Sequence, residues 1–160
     1  MPTTKTVSME KLFTIKSTIK LESKMTEQKK SKTLHISLWV AQGILAALLL
    51  LAGFMKATQP IDQLVTSMPW AADMSPILFR IIGVIDILGA LGLIFPSALR
   101  IYPKLTVYAA LGIILLMLGA TKTHYDYGEY AKIGATSFNI LIATFIAWGR
   151  FKKEPIQPKA

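Results

Sequence analysis

Four runs of apolar residues, about 36–55, 77–95, 105–120 and 133–148, separate polar and charged stretches along this chain. A helix needs about 20 predominantly apolar residues to cross the hydrocarbon core of a bilayer, so each run predicts one span. The third and fourth are at the short end of that range. Trp39, Trp70, Tyr102, Tyr125, Tyr127 and Trp148 fall at or beside the ends of the runs, where amphipathic rings anchor at a membrane–water boundary. Pro96 and Pro103 bracket a short link between the second and third runs, which makes those two helices antiparallel neighbours. The pattern predicts an all-α polytopic membrane protein, an antiparallel bundle of four transmembrane helices. Between the first two runs Pro60 can open a helix, and Ile61, Leu64, Val65 and Met68 recur at i, i+3, i+4 and i+7. That spacing predicts a short amphipathic helix over 60–68 on the outer surface, ended by Pro69 and anchored by Trp70.

The runs are interrupted in an ordered way. The second, FRIIGVIDILGALGLIFP, carries Arg80 near one end and Asp86 near its middle. A carboxylate at that depth costs about 2.5–3.5 kcal/mol on insertion scales, so it needs a partner or a task. Gly83, Gly89 and Gly92 on this run, Gly53 on the first, and Gly112 and Gly119 on the third remove side-chain bulk and predict close helix packing.

Each run also has a face on which small and polar residues recur every third or fourth position. It comprises Gln42, Ala46, Leu49, Gly53 and Lys56 on the first run, and Gly83, Asp86 and Ala90 on the second. The third contributes Ile113, Met117, Ala120 and His124, and the fourth Ala135, Asn139, Ala143 and Ala147. At about 1.5 Å of rise per residue, Asp86 and Asn139 lie on the order of 9–14 Å below the outer ends of their helices. Arg80 lies about a turn in, and Lys56 and His124 stand at the rim. The long Lys56 stem can extend inward to Asp86, and Arg80 outward to the loop and headgroups, as snorkelling side chains do. Lys56, Arg80, Asp86, His124 and Asn139 are therefore the candidate lining of a polar cavity, a ligand or proton site in the outer half of the bundle. Each also has a plainer role: Asp86 in an ion pair that sets register, Lys56 and Arg80 as headgroup anchors, His124 as a hydrated interfacial side chain, Asn139 as an interhelical hydrogen-bond donor.

Charge sets the orientation. Of the 18 lysines and arginines behind the formal net charge of +9, Lys5, Lys11, Lys16, Lys20, Lys24, Lys29, Lys30 and Lys32 precede the first run, and Arg150, Lys152, Lys153 and Lys159 follow the last. With Arg100 and Lys104 they face one side, against Lys56, Arg80, Lys122 and Lys132 on the other. The bias predicts both termini inside, N-in and C-in. The chain divides into a basic cytoplasmic tail over 1–34, a membrane domain over 35–150 and a basic cytoplasmic tail over 151–160. In the first tail Met9, Leu12, Phe13, Ile15 and Ile19 make only a fragmentary amphipathic pattern, so it reads as solvated and flexible. The first run is too long for a secretory signal, and Met25, just before a short polar lead into it, is an alternative translational start. No aromatic residues interleave with the lysines as single-strand readers require, so nucleic acid is not expected as a partner; the lipid bilayer is.

Composition removes whole classes of chemistry. Without cysteine the chain forms no disulfide, ligates no iron–sulfur cluster and attaches no c-type haem. Its two histidines, His35 and His124, fall near opposite faces of the expected bundle, so no metal site is expected. No phosphate-binding glycine loop, zinc helix or nucleophile elbow is present. Acid–base work by Asp86 with His124, as in a proton relay, remains open.

Gly53-x-x-Lys56, Arg80-x-x-Gly83-x-x-Asp86-x-x-Gly89-x-x-Gly92-x-x-x-Pro96, Ala109-Ala110-x-Gly112, Gly119-Ala120-x-x-x-His124, Asn139 and Gly149-Arg150 follow one another in an order and spacing that resemble the DoxX-like family. The resemblance spans about 37–150. It implies a small four-helix integral membrane protein of a bacterial plasma membrane. Founding members are membrane subunits of a thiosulfate:quinone oxidoreductase, and relatives are linked to oxidoreductase complexes or stress responses. The family more often carries Glu where Asp86 stands. The expected role is a membrane subunit or anchor of a quinone-linked oxidoreductase complex, non-catalytic by itself, with quinone as the diffusible ligand and a redox protein as partner. The alternatives are a structural, assembly or stress-related membrane protein, and a small proton-coupled transporter, the last requiring a homodimer.

Overall fold

The computed structural model describes residues 4–159 and is all-helical, with no strand among the described residues. Four helices are long and apolar enough to cross a membrane. The chain forms two compact units, Met1–Ile36 and Ser37–Ala160.

In the first unit the described residues are helical, part of α1 (Thr4–Thr58). The apolar pattern alone starts a helix only near residue 36. The assignment begins earlier because neither Gly nor Pro interrupts residues 3–42, and Lys, Leu, Glu, Met and Gln there are good helix formers. The described side chains from Met9 to Lys32 are exposed. Hydroxyls of Ser17, Thr18, Ser23 and Thr26 donate to carbonyls three or four residues earlier.

The second unit contains the rest of α1, a single helical turn α2 (Ile61–Val65), a 3-10 turn at Pro69–Ala71, then α3 (Pro76–Leu99), α4 (Lys104–Asp126) and α5 (Tyr130–Trp148), which continues as a π-helical turn Gly149–Lys153. Pro76 occupies the first turn of α3, where its missing N–H costs nothing. At the other end α3 passes through Pro96 and stops at Leu99, one turn later than the proline alone predicts. Arg100, at φ 58°, supplies the left-handed residue that ends it. The extra turn brings Ser97 beside Thr106, and the two buried hydroxyls share a hydrogen bond of 2.8 Å. α4 is also longer than its apolar run, carrying Lys122 and His124 on helix up to Asp126.

Paired contacts give the helix directions. Gly53 of α1 meets Gly83 of α3, while Gln42 of α1 reaches the Leu93 carbonyl. Gly92 meets Ala109, and Gly89 meets Ile113, between α3 and α4. Thr121 bonds Thr136, and Met117 faces Asn139, between α4 and α5. Leu38 packs on Gly149 between α5 and α1. In the first three pairs rising numbers on one helix match falling numbers on the other, so α1 and α3, α3 and α4, and α4 and α5 run antiparallel.

Their shared interior holds Leu45, Ala46, Leu49, Ala90, Leu93, Ala110, Ile113, Met117, Ala143 and Ile146. A second cluster of Leu64, Trp70, Ala71 and Phe79 folds the α1–α3 connection over one end, called here the α2 end. Leu51, Leu88, Leu115 and Leu141 are all exposed on the outer faces, a distribution that water penalises and lipid accepts.

The glycines separate into two groups. A Cβ at Gly53 would stand 2.7 Å from the Gly83 carbonyl oxygen, and one at Gly92 2.9 Å from the Ala109 Cβ. Gly53, Gly83 and Gly92 therefore hold helices close. Gly89 touches only the Ile113 side chain, at 3.3 Å from such a Cβ. Gly112 and Gly119 are exposed and face open space, so they pack no helix among the described residues. Ala135 is also exposed; the buried seam of α5 is Thr136, Ala143, Ile146 and Ala147. Of the face expected on α5, Ala143 and Ala147 are buried and Asn139 is half-buried; only at Ala135 does the neighbouring residue, Thr136, take the inward place, where it bonds Thr121.

Candidate functional site

The close approach of Gly53 and Gly83 builds the site. Lys56 lies three residues beyond Gly53, and Asp86 three beyond Gly83, on helices running in opposite directions. With no side chain between the backbones, Asp86 sits level with Gly53 and Lys56 level with Gly83. Lys56 Nζ then reaches back along the interface to Asp86 Oδ2 at 2.7 Å. The Asp86 side chain is wholly buried and that of Lys56 is 13% exposed. A charge-assisted hydrogen bond of this length, shielded from solvent, is among the stronger polar contacts a protein makes.

Arg80 supports the pair from behind. Its Nη1 donates to the Lys56 carbonyl at 2.6 Å, occupying one of the acceptors that the last turn of α1 leaves open. Arg80 thus caps α1 and does not extend away from the protein.

A cavity of about 330 Å³ opens beside the pair. Lys56, Asp86, Trp70, Ile82, Met117 and His124 are among its lining residues. Two of its polar atoms have no hydrogen-bond partner among the described residues: Asp86 Oδ1, an acceptor, and Trp70 Nε1, a donor. Both are buried, and an unsatisfied buried polar group costs about 1–3 kcal/mol. The remaining wall is mainly apolar, including Met74, Leu115 and Leu116.

His124 closes the cavity near the end of α4. Its ring stands edge-on to Trp70, with centroids 6.4 Å apart, and Trp70 in turn packs on Phe79 at 5.3 Å. The chain turns back to α5 at Gly128, φ 69°, a conformation glycine adopts without strain. That turn presents Glu129, whose Oε2 accepts from His124 Nδ1 at 2.6 Å. Lys132 bonds the other Glu129 oxygen and the Ser67 carbonyl. Burial acts to raise the Glu129 carboxyl, but hydrogen bonds from Lys132 and His124, with their charges, hold it below its ordinary value.

Of the five residues singled out by sequence, Lys56, Asp86 and His124 line one cavity. Arg80 touches it only through the Lys56 backbone. Asn139 does not line it: its Nδ2 lies 3.8 Å from Met117 Sδ, a weak acceptor, so Asn139 positions a wall residue. Trp70 is not the exposed boundary anchor that its place in a loop predicted; it is 8% exposed and forms part of the cavity roof. Glu129 is a further addition, since no spacing rule links a turn carboxylate to a histidine five residues back.

At the opposite end a second polar network ties helices together. The buried Arg150 donates through Nε to Gln42 Oε1 at 2.7 Å, and Gln42 Nε2 donates to the Leu93 carbonyl. The Arg150 guanidinium also stands 5.2 Å from the Trp39 ring centroid. No group of three or more His, Cys, Asp or Glu suited to a metal ion occurs among the described residues.

The model of the DoxX-like family matches residues 40–149, a stretch that contains every lining residue of this cavity. No curated protein and no solved structure matches the chain.

Proposed function

The chain belongs to the DoxX-like family, and from that membership together with the walled Lys56–Asp86 pair we propose a membrane subunit of a quinone-linked oxidoreductase complex. The observation that carries this reading is the cavity itself, a pocket in the membrane domain with one unpaired donor and one unpaired acceptor. Its volume is at the lower end of the roughly 300–1,000 Å³ typical of small-molecule sites. A quinone ring has apolar faces and carbonyl acceptors; Trp70 Nε1–H offers a donor, and Ile82, Leu115 and Met117 offer apolar walls. The reduced ring carries hydroxyls, for which Asp86 Oδ1 is an acceptor. His124, hydrogen-bonded to Glu129, holds a proton at the mouth. Electrons come from a separate redox protein, since a chain without cysteine ligates no iron–sulfur cluster of its own.

In this reading the α2 end faces outward, with α2 on the outer surface, and both termini lie in the cytoplasm of a bacterium. The four cations of the α2 end support that orientation. Lys56, Arg80, Lys122 and Lys132 stand there against Arg100, Lys104, Arg150, Lys152, Lys153 and Lys159 at the other end, and the side richer in lysine and arginine remains cytoplasmic.

The test uses the full chain in mild detergent, titrated with a short-chain ubiquinone or menaquinone while tryptophan fluorescence is read. Saturable quenching is expected. Repeated with the reduced quinol, whose hydroxyls donate to Asp86 Oδ1, the titration should show Asp86→Asn binding roughly tenfold more weakly, the loss of one hydrogen bond to a charged group. Absence of saturable quenching, together with no redox protein co-purifying, would reject the proposal. A quinol quenching curve unchanged in Asp86→Asn, with only stability altered, would assign the pair to helix packing.

A further inference from the structure

A different groove lies at the end of the bundle opposite the quinone cavity, where α4 begins and α5 ends. It encloses about 310 Å³ and is lined by Lys104, Val107, Tyr108 and Leu111 from α4, and by Ala147, Trp148, Phe151 and Lys152 from α5 and its π-helical extension. No acidic residue lines it. Its polarity changes along its length. Lys104 is the first residue of α4, while Leu111 lies seven residues deeper, about 10 Å along the axis. On the other wall Lys152 is near the end of the extension and Ala147 more than a turn below it. The groove is therefore cationic at the helix ends and apolar inward, with Tyr108, Trp148 and Phe151 exposed along it.

We propose that this groove binds one anionic phospholipid, its phosphate between Lys104 and Lys152 and an acyl chain along Val107, Leu111 and Trp148. Charge complementarity selects the occupant. A zwitterionic lipid brings its own cation to a site that already has two, and a free inorganic anion gains nothing from the apolar wall. Basic pockets between transmembrane helices at the cytoplasmic side are a recurrent setting for acidic headgroups. The inference is independent of the quinone reading, since the two sites share no lining residue.

The experiment is native mass spectrometry of the full chain, released from nanodiscs containing equal phosphatidylglycerol and phosphatidylcholine with identical acyl chains. The wild type should retain one phosphatidylglycerol in preference to phosphatidylcholine. Lys104→Ala and Lys152→Ala should each lower that preference roughly fivefold, the contribution of one lysine near an anionic headgroup. Lys104→Arg with Lys152→Arg should restore it, which separates lost charge from lost folding. Lys122→Ala, at the α2 end, should leave it unchanged. Equal retention of the two lipids by the wild type would overturn the proposal, as would an unaltered preference in the double alanine variant. Displacement of the lipid by inorganic phosphate would assign the lysines to a small anion. Loss of a dimer in the alanine variants would assign the groove to a second copy of the chain.

Discussion

Lys56 Nζ lies 2.7 Å from Asp86 Oδ2, inside an interface that two glycines hold closed. Asp86 is fully buried, so removing either partner strands the other in a poor solvent. Asp86→Leu should destabilise the protein by roughly 3–5 kcal/mol, the range for breaking a buried pair. Lys56 retains 13% exposure and can partly turn outward, which places the cost toward the lower figure. The double variant Lys56→Met with Asp86→Leu should recover much of the loss, because no charge is left unpaired. Unfolding in detergent micelles, run as a double-mutant cycle, measures the coupling; a coupling near zero would show that the two charges do not depend on each other.

The glycines give opposite signs for the same chemical change. A Cβ at Gly53 or Gly83 meets backbone atoms of the facing helix at under 3 Å, and backbone cannot rotate aside as a side chain can. Gly53→Ala or Gly83→Ala should cost roughly 1–3 kcal/mol, as overpacking does, and should loosen the ion pair three residues on. Gly112→Ala enters open space and should stabilise its helix by roughly 0.5–1 kcal/mol. Thermal unfolding of the variants side by side checks the contrast. Destabilisation by both classes would mean that Gly112 packs against something outside this chain.

The positions of Lys56 and Asp86 were legible because helix periodicity and membrane energetics act on the same residues. A buried carboxylate demands a cation, and Lys56 is on the inward face of α1 at the matching depth. The four long apolar helices were legible for the same reason. Trp70 was not, since a loop has no period to show which way a side chain points, and a tryptophan beside a membrane boundary has an adequate explanation without burial. Arg150 read as one more C-terminal cation. Its burial depends on Gln42, 108 positions away, and no local signal encodes that meeting. Gly112 and Gly119 were misplaced because composition shows where a helix is thin without showing which neighbour uses the space. On α5 the spacing found Ala143 and Ala147, both buried, but missed Thr136, because a hydroxyl that bonds Thr121 on the neighbouring helix leaves no mark in a pattern of small residues.

Acid should weaken the mouth of the cavity. Glu129 is held below its ordinary carboxylate value of 4.5 by Lys132 and His124. A depressed folded-state value means that the unfolded chain takes up a proton first as pH falls. The stabilisation is therefore complete well above 4.5, begins to be lost through that value, and is gone once pH passes below the folded-state value. Glu129→Gln should be less stable than the wild type at neutral pH and should show a flatter acid limb. Unfolding profiles from pH 7 to pH 3 (a range set by the ordinary carboxylate value) read both. Parallel limbs in the two proteins would show that Glu129 carries none of the acid sensitivity.

The orientation can be read directly because the chain has no cysteine, so any single introduced thiol is the only one labelled. At the α2 end every cation of the bundle already has a protein partner, whereas the other end presents Arg100, Lys104, Lys152, Lys153 and Lys159, all exposed. The side richer in lysine and arginine remains cytoplasmic, whatever carboxylates stand beside those residues. Gln63→Cys, exposed on α2, should therefore react with a membrane-impermeant maleimide in intact cells. Gln157→Cys in the C-terminal segment and Ser23→Cys before the first span should react only after the membrane is opened. If Gln157→Cys were the one labelled in intact cells, the cavity at Lys56 and Asp86 would open toward the cytoplasm and the groove at Lys104 and Lys152 would face the outer leaflet. Both ligand proposals would then have to be tested against the lipids and redox partners of the reversed sides.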